Sequence, residues 1–258
     1  MTFLILSSGM ADDALVLAIK RKGGQVFLDK DSGKIVEVNF NGHTFLDPEL
    51  MSRISQQTAI TDLSLEQTPT GDMELEMFSS LAHLEWLNLY KTQITDEGLK
   101  HISKLPQLAQ LPIGETKVTD RGLVYLQDLK NLEYLGLRKT VVTDDGLKSL
   151  SAFKKLNALH LGETDVTDEG LKHLTLLTGL TKLWLHDTQV SDEGLSYLAR
   201  LTQLRQLMIY NTQVTAKGYE YLHEKLPGCL ILYRLGDLFS FDRIYRIDGM
   251  NSHGSCAN

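Results

Sequence analysis

The chain has 258 residues, of which 42% are hydrophobic and 23% charged, the balance of a globular protein that buries a core. Its formal net charge of −7 argues against nucleic acid as a partner, because phosphate binding needs a basic surface that releases counterions. Two cysteines are too few for a disulfide framework and fit a reducing compartment. The longest apolar run near the start, residues 3–6, is too short to span a bilayer, and no basic residue precedes it as in a secretory signal. We therefore expect a cytoplasmic protein with no nucleic-acid partner and no membrane partner.

The first 34 residues predict an N-terminal capping segment. Residues 1–9 differ in composition from the rest of the chain, so that Met10 is a candidate alternative start. Residues 12–22 predict a helix that ends at the glycine pair 23–24. Residues 25–29 and 35–40 then predict a hairpin, and we expect helix and hairpin together to cover one end of the repeat structure that begins at residue 35.

From residue 35 to residue 233 the chain follows a 24-residue repeat. Threonine recurs at this interval, and apolar residues stand three, five and eight positions before each threonine, giving the template LxxLxLxxT. The threonines are Thr68, Thr92, Thr116, Thr140, Thr164, Thr188 and Thr212. A degenerate first copy, with one extra residue, contains Val38, Phe40 and His43.

Each repeat predicts one short strand followed by one short helix. After five of the threonines comes a Ser or Thr in an N-cap position, then acidic residues and apolar residues at helical spacing, as in residues 166–174. One strand–helix unit cannot bury its own apolar face, so the units must stack, with a parallel sheet on one side and helices on the other. The pattern predicts an α/β solenoid of about eight coils.

The repeat resembles the leucine-rich-repeat family, specifically its 24-residue variant in which VTDxGL follows the strand, as at residues 166–171. The resemblance covers roughly residues 35–233 and extends to the repeats of F-box proteins. It implies a horseshoe with a concave parallel sheet and short convex helices. In this family an Asn or Cys often stands at the threonine position and bonds backbone groups between coils, so the resemblance implies that role for the threonine hydroxyls.

The period ends near residue 226. Residues 226–229, Leu-Pro-Gly-Cys, shift the pattern, and residues 230–233 predict a last short strand. Residues 234–258 predict a C-terminal tail with enough apolar side chains to dock on the final coil, followed by a disordered end of about ten residues.

The concave face is the predicted binding site for another protein. Strand alternation directs the leucines into the core and the intervening residues onto the opposite face, where coils about 5 Å apart form one surface. Aromatic and arginine side chains on such a surface are typical interface anchors, although they also pack on one another to fill a curved face. The predicted partner-binding residues are Trp86, Asn88, Tyr90, Tyr134, Arg138, His160, Lys182, Trp184, His186, Met208 and Tyr210.

The middle of this face carries small residues and predicts a hollow that accommodates the partner: Pro112, Gly114, Gly136, Ala158 and Gly162. A further column, directly before the threonines, alternates in charge and predicts a ladder of surface ion pairs, each worth about 0–1 kcal/mol; a role in tuning partner specificity is the alternative. This column contains Gln67, Lys91, Glu115, Lys139, Glu163, Asp187 and Asn211.

No residue pattern indicates catalysis, a metal or another cofactor. His160 and His186 lie in adjacent coils near Glu163 and Asp187, but a metal site needs three or four convergent ligands, and we expect these columns to diverge. The aspartates that follow the Ser/Thr caps are explained by the helix dipole, at about 0.3–1 kcal/mol each. Repeated glycines, such as Gly170, indicate close approach of helices and form no phosphate loop, and no GxSxG elbow is present.

These observations predict a non-catalytic scaffold for protein–protein interaction. An alternative is a substrate-recognition subunit of a ubiquitin-ligase-like complex, implied by the similarity to F-box repeats; against it, the residues before the first coil predict a cap and no adaptor-binding domain. A third alternative is an enzyme or metal protein that uses His160 and His186.

Overall fold

The structure, a computed structural model, describes residues 8–234 and Gly236. Its strands form one open sheet in chain order, in which the first two pair antiparallel and all later neighbours pair parallel. The strands are β1 (Gln25–Leu28), β2 (Ile35–Asn39), β3 (Asp62–Ser64), β4 (Trp86–Asn88), β5 (Gln110–Pro112), β6 (Tyr134–Gly136), β7 (Ala158–His160), β8 (Lys182–Trp184), β9 (Gln206–Met208) and β10 (Leu230–Leu232).

A helix follows each strand from β2 to β9. The helices are α1 (Ser8–Arg21), α2 (Pro48–Ile54), α3 (Asp72–Phe78), α4 (Asp96–Ile102), α5 (Asp120–Tyr125), α6 (Asp144–Leu147), α7 (Asp168–Leu174), α8 (Asp192–Leu198) and α9 (Ala216–Lys225). Short 3-10 turns extend α5 and α6. The predicted α/β solenoid is confirmed. None of the described helices is long and apolar enough to cross a membrane.

The core is a set of leucine columns that runs through every coil. Parallel pairing sets each leucine beside its counterpart 24 residues away, as in the series Leu135, Leu159 and Leu183, and each of these side chains is fully buried. Packed helices need about 8–10 Å between axes, whereas paired strands need only about 4.8 Å. From this difference we expect the stack to bend with the sheet on its inner, concave side.

The recurring geometry at the end of each strand is a left-handed residue followed by a threonine. All seven residues of the column before the threonines have φ between 51° and 57°. Each threonine hydroxyl donates to the carbonyl three residues earlier, as from Thr164 to Leu161 at 2.6 Å. The implied hydrogen bond between coils is therefore wrong: the hydroxyl closes the sharp turn within its own coil, where the strand leaves an unpaired carbonyl.

An aspartate of the preceding coil holds each helix N-cap from α4 onward. Asp144 Oδ1 accepts from the backbone N–H of Thr167 at 2.8 Å, and its Oδ2 accepts from the Thr167 hydroxyl at 2.7 Å. The Thr167 oxygen in turn accepts from the Glu169 N–H. The same clamp joins Asp72 to Thr95, Asp96 to Thr119, Asp120 to Thr143, Asp168 to Ser191 and Asp192 to Thr215. The helix dipole is thus an incomplete explanation of these aspartates, because they also bond coil to coil.

The glycine in the first turn of each helix from α4 to α9 makes room for this clamp. A Cβ on Gly170 would collide with Oδ1 of Asp144 and lie 2.9 Å from Cδ1 of Leu147. The predicted close approach of helices at the glycines is confirmed, and its cause is the carboxylate of the neighbouring coil.

Gly170→Ala is expected to lower the free energy of unfolding by about 1–3 kcal/mol, the usual cost of overpacking. Gly179→Ala is the matched control, because a Cβ there meets only the Leu156 carbonyl oxygen at 4.0 Å. It should be neutral, or stabilising by about 0.4–1 kcal/mol through the unfolded chain. Urea denaturation followed by circular dichroism measures both, and equal effects would refute the steric argument.

The N-terminal segment packs on the first coil. Helix α1 begins at Ser8, four residues before the predicted start, and its Leu15 and Ile19 are buried against the core. The hairpin of β1 and β2 is present as predicted, with Gly33 at φ 68° in its turn. The predicted docking and disorder of residues 234–258 fall outside the described residues, apart from residues 234 and 236, and stay predictions.

Candidate protein-binding face

The predicted site residues all lie on the outer side of the sheet strands, but the structure buries three of them. Asn88, Trp184 and His186 are only 7%, 9% and 6% exposed, so their predicted exposure is wrong. The other eight are half-buried: Trp86, Tyr90, Tyr134, Arg138, His160, Lys182, Met208 and Tyr210. Their binding of a partner stays a prediction.

Asn88 is buried because it links neighbouring coils. Its Nδ2 donates to Oε2 of Glu66 at 3.0 Å, and its Oδ1 accepts from the Tyr90 N–H at 3.1 Å. Burial raises the pKa of the Glu66 carboxyl above its ordinary value, and the hydrogen bond from Asn88 opposes this shift only in part. Asn88 therefore supports the face from within.

Five rings from strands β6 to β9 and their ends form a continuous group, which we call the ring cluster: Tyr134, His160, Trp184, His186 and Tyr210. Tyr134 and His160 both contact Trp184, with ring centroids at 6.3 and 5.3 Å. His186 stacks on Tyr210 at 4.8 Å with the ring planes 5° apart. Rings in adjacent coils bury apolar area against one another, which explains why Trp184 and His186 are less exposed than strand alternation predicts.

The predicted hollow in the middle of the face is filled by rings of neighbouring residues. A Cβ on Gly162 would lie 2.5 Å from Cε1 and Nε2 of His186, and one on Gly114 would lie 3.1 Å from the Tyr90 ring. Gly136 is covered in the same way by the Tyr134 hydroxyl. These glycines therefore leave room for aromatic and histidine rings of the same protein. The predicted open hollow is wrong at Gly114, Gly136 and Gly162.

A second group of polar residues, which we call the Arg138 network, connects coils on the same face. Arg138 donates from Nε to Glu163 Oε1 at 2.6 Å and from Nη1 to the Tyr90 hydroxyl at 3.0 Å. The Tyr90 hydroxyl donates to Glu115. The sequence did not predict Glu115 and Glu163 as site residues. Their position in the column directly before the threonines, on the same face of the sheet, could have indicated this role.

Glu115 is a charged centre of this network. Burial by itself would raise the pKa of its carboxyl, but the Tyr90 hydrogen bond and the charges of Lys91, Lys139 and Arg138 hold the pKa below its ordinary value. Lys91 and Lys139 approach its Oε2 at 3.8 and 3.6 Å.

The predicted ion-pair ladder is therefore confirmed at these pairs with Glu115. It is not continued as predicted at Glu163, which pairs with Arg138 from the neighbouring column. Asp187 instead bonds to His186 and to Asn211 Nδ2 at 3.0 Å.

His160 and His186 converge, contrary to the expected divergence of their columns. Their Nε2 atoms are 3.1 Å apart, and His186 Nδ1 lies 2.9 Å from Oδ2 of Asp187. An ionised Asp187 accepts a hydrogen bond, so it selects the Nδ1–H tautomer of His186, whose Nε2 then accepts from Nε2–H of His160. The pKa of Asp187 lies below its ordinary value, because the hydrogen bonds from His186 and Asn211 outweigh its burial.

Burial lowers the pKa of His160 to about 3, and the neighbouring His186 and Arg138 add to this effect. His160 is therefore a neutral imidazole at physiological pH. Within the part of the chain that the structure describes, no group of three or more His, Cys, Asp or Glu side chains is placed to hold a metal ion.

Comparison with known proteins identifies the repeat. Residues 80–103 and 154–174 match the sequence model described as leucine rich repeat. Among solved structures, the chain is similar to internalin C2 from Listeria monocytogenes, with a TM-score of 0.57 and 23% identity over 80% of this chain and 94% of the internalin chain. No curated protein sequence matched. The similarity to the VTDxGL variant and to F-box repeats stays a prediction.

Proposed function

The chain has the leucine-rich-repeat fold, and on this premise we propose that it is a non-catalytic scaffold that binds another protein on the concave face of its sheet. The observation that carries the proposal is the concentration of half-buried aromatic and charged side chains on one open sheet face. Aromatic and arginine side chains of this kind dominate the energetics of protein interfaces. The compartment we propose is the cytoplasm, with which two cysteines are compatible.

The burial pattern divides the predicted site into contact residues and supporting residues. Trp86, Lys182 and Met208 retain accessible surface and are the proposed contacts, together with Tyr134 and Arg138. The buried residues of the face, Asn88, Trp184 and His186, hold the contacts in place.

Pre-organisation favours binding on this face. Arg138 is already held by Glu163 and Tyr90, and the Tyr134 ring packs on Trp184. A side chain fixed before binding loses less rotamer entropy in the complex, where each mobile one costs about 0.5–1.5 kcal/mol. The face is therefore suited to a partner that meets a rigid surface.

The proposal is tested by affinity capture with the concave double variant Trp86→Ala/Lys182→Glu. We expect it to recover at least tenfold less of the partner than the wild type, since one change removes an aromatic anchor and the other reverses a charge. The readout is quantitative mass spectrometry of captured proteins, followed by the dissociation constant of the purified pair.

The matched control is Met73→Ala/Lys217→Glu, which likewise truncates one large apolar side chain and reverses one lysine charge, on helices α3 and α9, where both side chains are exposed. This control should capture the partner as the wild type does, and melting curves of both double variants verify folding. Equal loss in both variants, or unchanged capture by the concave variant, would exclude the concave site. A wild-type chain with no specific partner would exclude the scaffold.

A further inference from the structure

We propose that His160 and His186 form a binding site for one divalent ion of a late transition metal, Cu²⁺ or Zn²⁺, held between their Nε2 atoms. This site goes beyond the proposed scaffold function, because it requires no protein partner. It rests on the geometry of the histidine pair and on the groups that fix the two rings.

The separation of the two nitrogen atoms suits a shared metal ion. The Nε2 atoms are 3.1 Å apart. With metal–nitrogen bonds of about 2.0–2.1 Å, this separation corresponds to an N–metal–N angle of about 95–100°. Such an angle lies between the square-planar geometry of Cu²⁺ and the tetrahedral geometry of Zn²⁺. The distance between the two nitrogen atoms therefore suits either ion, and the half-buried His160 ring turns off the hydrogen-bond axis so that both lone pairs meet at the metal.

Metal-binding histidines commonly donate a hydrogen bond from their second ring nitrogen to a carboxylate, and Asp187 is that carboxylate for His186. Its Oδ2 accepts from Nδ1 of His186 at 2.9 Å, which directs the Nε2 lone pair of His186 toward His160. His160 releases its own lone pair by moving its proton from Nε2 to Nδ1. The neutral pair thus becomes a two-nitrogen ligand set with no net loss of a proton.

The surroundings fix the ring of His186. It lies on Gly162, where any Cβ would be 2.5 Å from its Nε2, and it stacks on Tyr210. The positive charge of Arg138 acts on His160, but Glu163 pairs with that guanidinium and offsets its effect on a bound cation. Since two side chains supply only two ligands, water completes the coordination, and the affinity is lower than that of a three- or four-ligand site.

The test is titration of the tag-free full chain with Cu²⁺ and, separately, with Zn²⁺, by isothermal calorimetry. We expect one saturable site per chain that is stronger for Cu²⁺ than for Zn²⁺, as the general order of divalent affinities requires. Electron paramagnetic resonance of the Cu²⁺ form should show coordination by two imidazole nitrogens.

Variants assign the site to the histidine pair. His160→Gln and His186→Gln should abolish this site, and Asp187→Asn should weaken it by about 10–100-fold. Gly162→Ala keeps both histidines but displaces the His186 ring, so it should also weaken metal binding. This variant tests the site independently if a glutamine variant fails to fold. His83→Gln, at an exposed position, is the control that leaves binding unchanged.

Equal binding by all variants, one-nitrogen coordination, or no binding of either ion by the wild type would overturn the proposal. Because the titration contains no partner protein, its failure leaves the scaffold proposal standing. Failure of the affinity capture likewise leaves the metal site standing.

Discussion

Asp144→Ala is expected to lower the free energy of unfolding by about 2–4 kcal/mol. The carboxylate accepts two hydrogen bonds from Thr167 of the next coil, at 2.8 and 2.7 Å. Its removal leaves the partly buried Thr167 N–H without its acceptor and removes one of the connections between the coils of α6 and α7. Urea denaturation monitored by circular dichroism measures the loss.

Asp145→Ala is the matched control for this prediction. Asp145 occupies the same first helical turn, but its side chain is 74% exposed and pairs with Lys148 of its own helical region rather than with the next coil's N-cap. We expect a change within about 1 kcal/mol, as for other exposed ion pairs. If both aspartates acted through the helix dipole alone, both variants would lose a similar 0.3–1 kcal/mol, roughly the dipole's usual contribution. Similar losses would therefore refute the clamp between coils.

Leu159→Ala is expected to cost about 2–5 kcal/mol, the range for leucine truncation in a packed core. Leu159 is fully buried at the centre of the solenoid and stands between Leu135 and Leu183. In a repeat protein each coil contacts only its neighbours, so a cavity here weakens the connection between the two halves of the stack. Urea denaturation should show a lower midpoint and a broader transition.

Leu176→Ala is the control, because Leu176 is 62% exposed and its truncation should change stability by no more than about 0.5 kcal/mol. The fluorescence of Trp86, in β4, and Trp184, in β8, follows the two halves separately in single-tryptophan versions of the variant. A loss below about 1 kcal/mol for Leu159→Ala would contradict the continuous leucine core.

The metal and scaffold proposals concern neighbouring side chains of one face, because Tyr134, a proposed protein contact, belongs to the same ring cluster as the two histidines. The proposed protein contacts are half-buried side chains such as Trp86 and Lys182, whereas His160 and His186 lie within the ring cluster. The two experiments use different variants, so that each proposal can fail without the other.

The sequence by itself determined the repeat, its phase and the fold. Leucines at i, i+3 and i+5 in every 24 residues identified the buried columns, because a strand in a stacked array must bury the same positions in each coil. The sequence also predicted the helix caps correctly: Thr167 and its equivalents in the other coils cap the N-termini of the helices. Close approach at Gly170 followed from its periodic recurrence.

Only the tertiary structure decided which side chains meet between coils. Asp144 bonds to Thr167, 23 residues later, and Glu163 bonds to Arg138, 25 residues earlier. A strand pattern states which face a side chain is on, but the direction in which a long side chain lies along that face depends on its neighbours. Gly162 leaves room for the His186 ring, which therefore packs over this glycine, is buried there and contacts His160. This contact depends on the packing of two neighbouring coils, and for that reason the periodicity of one chain segment could not reveal it.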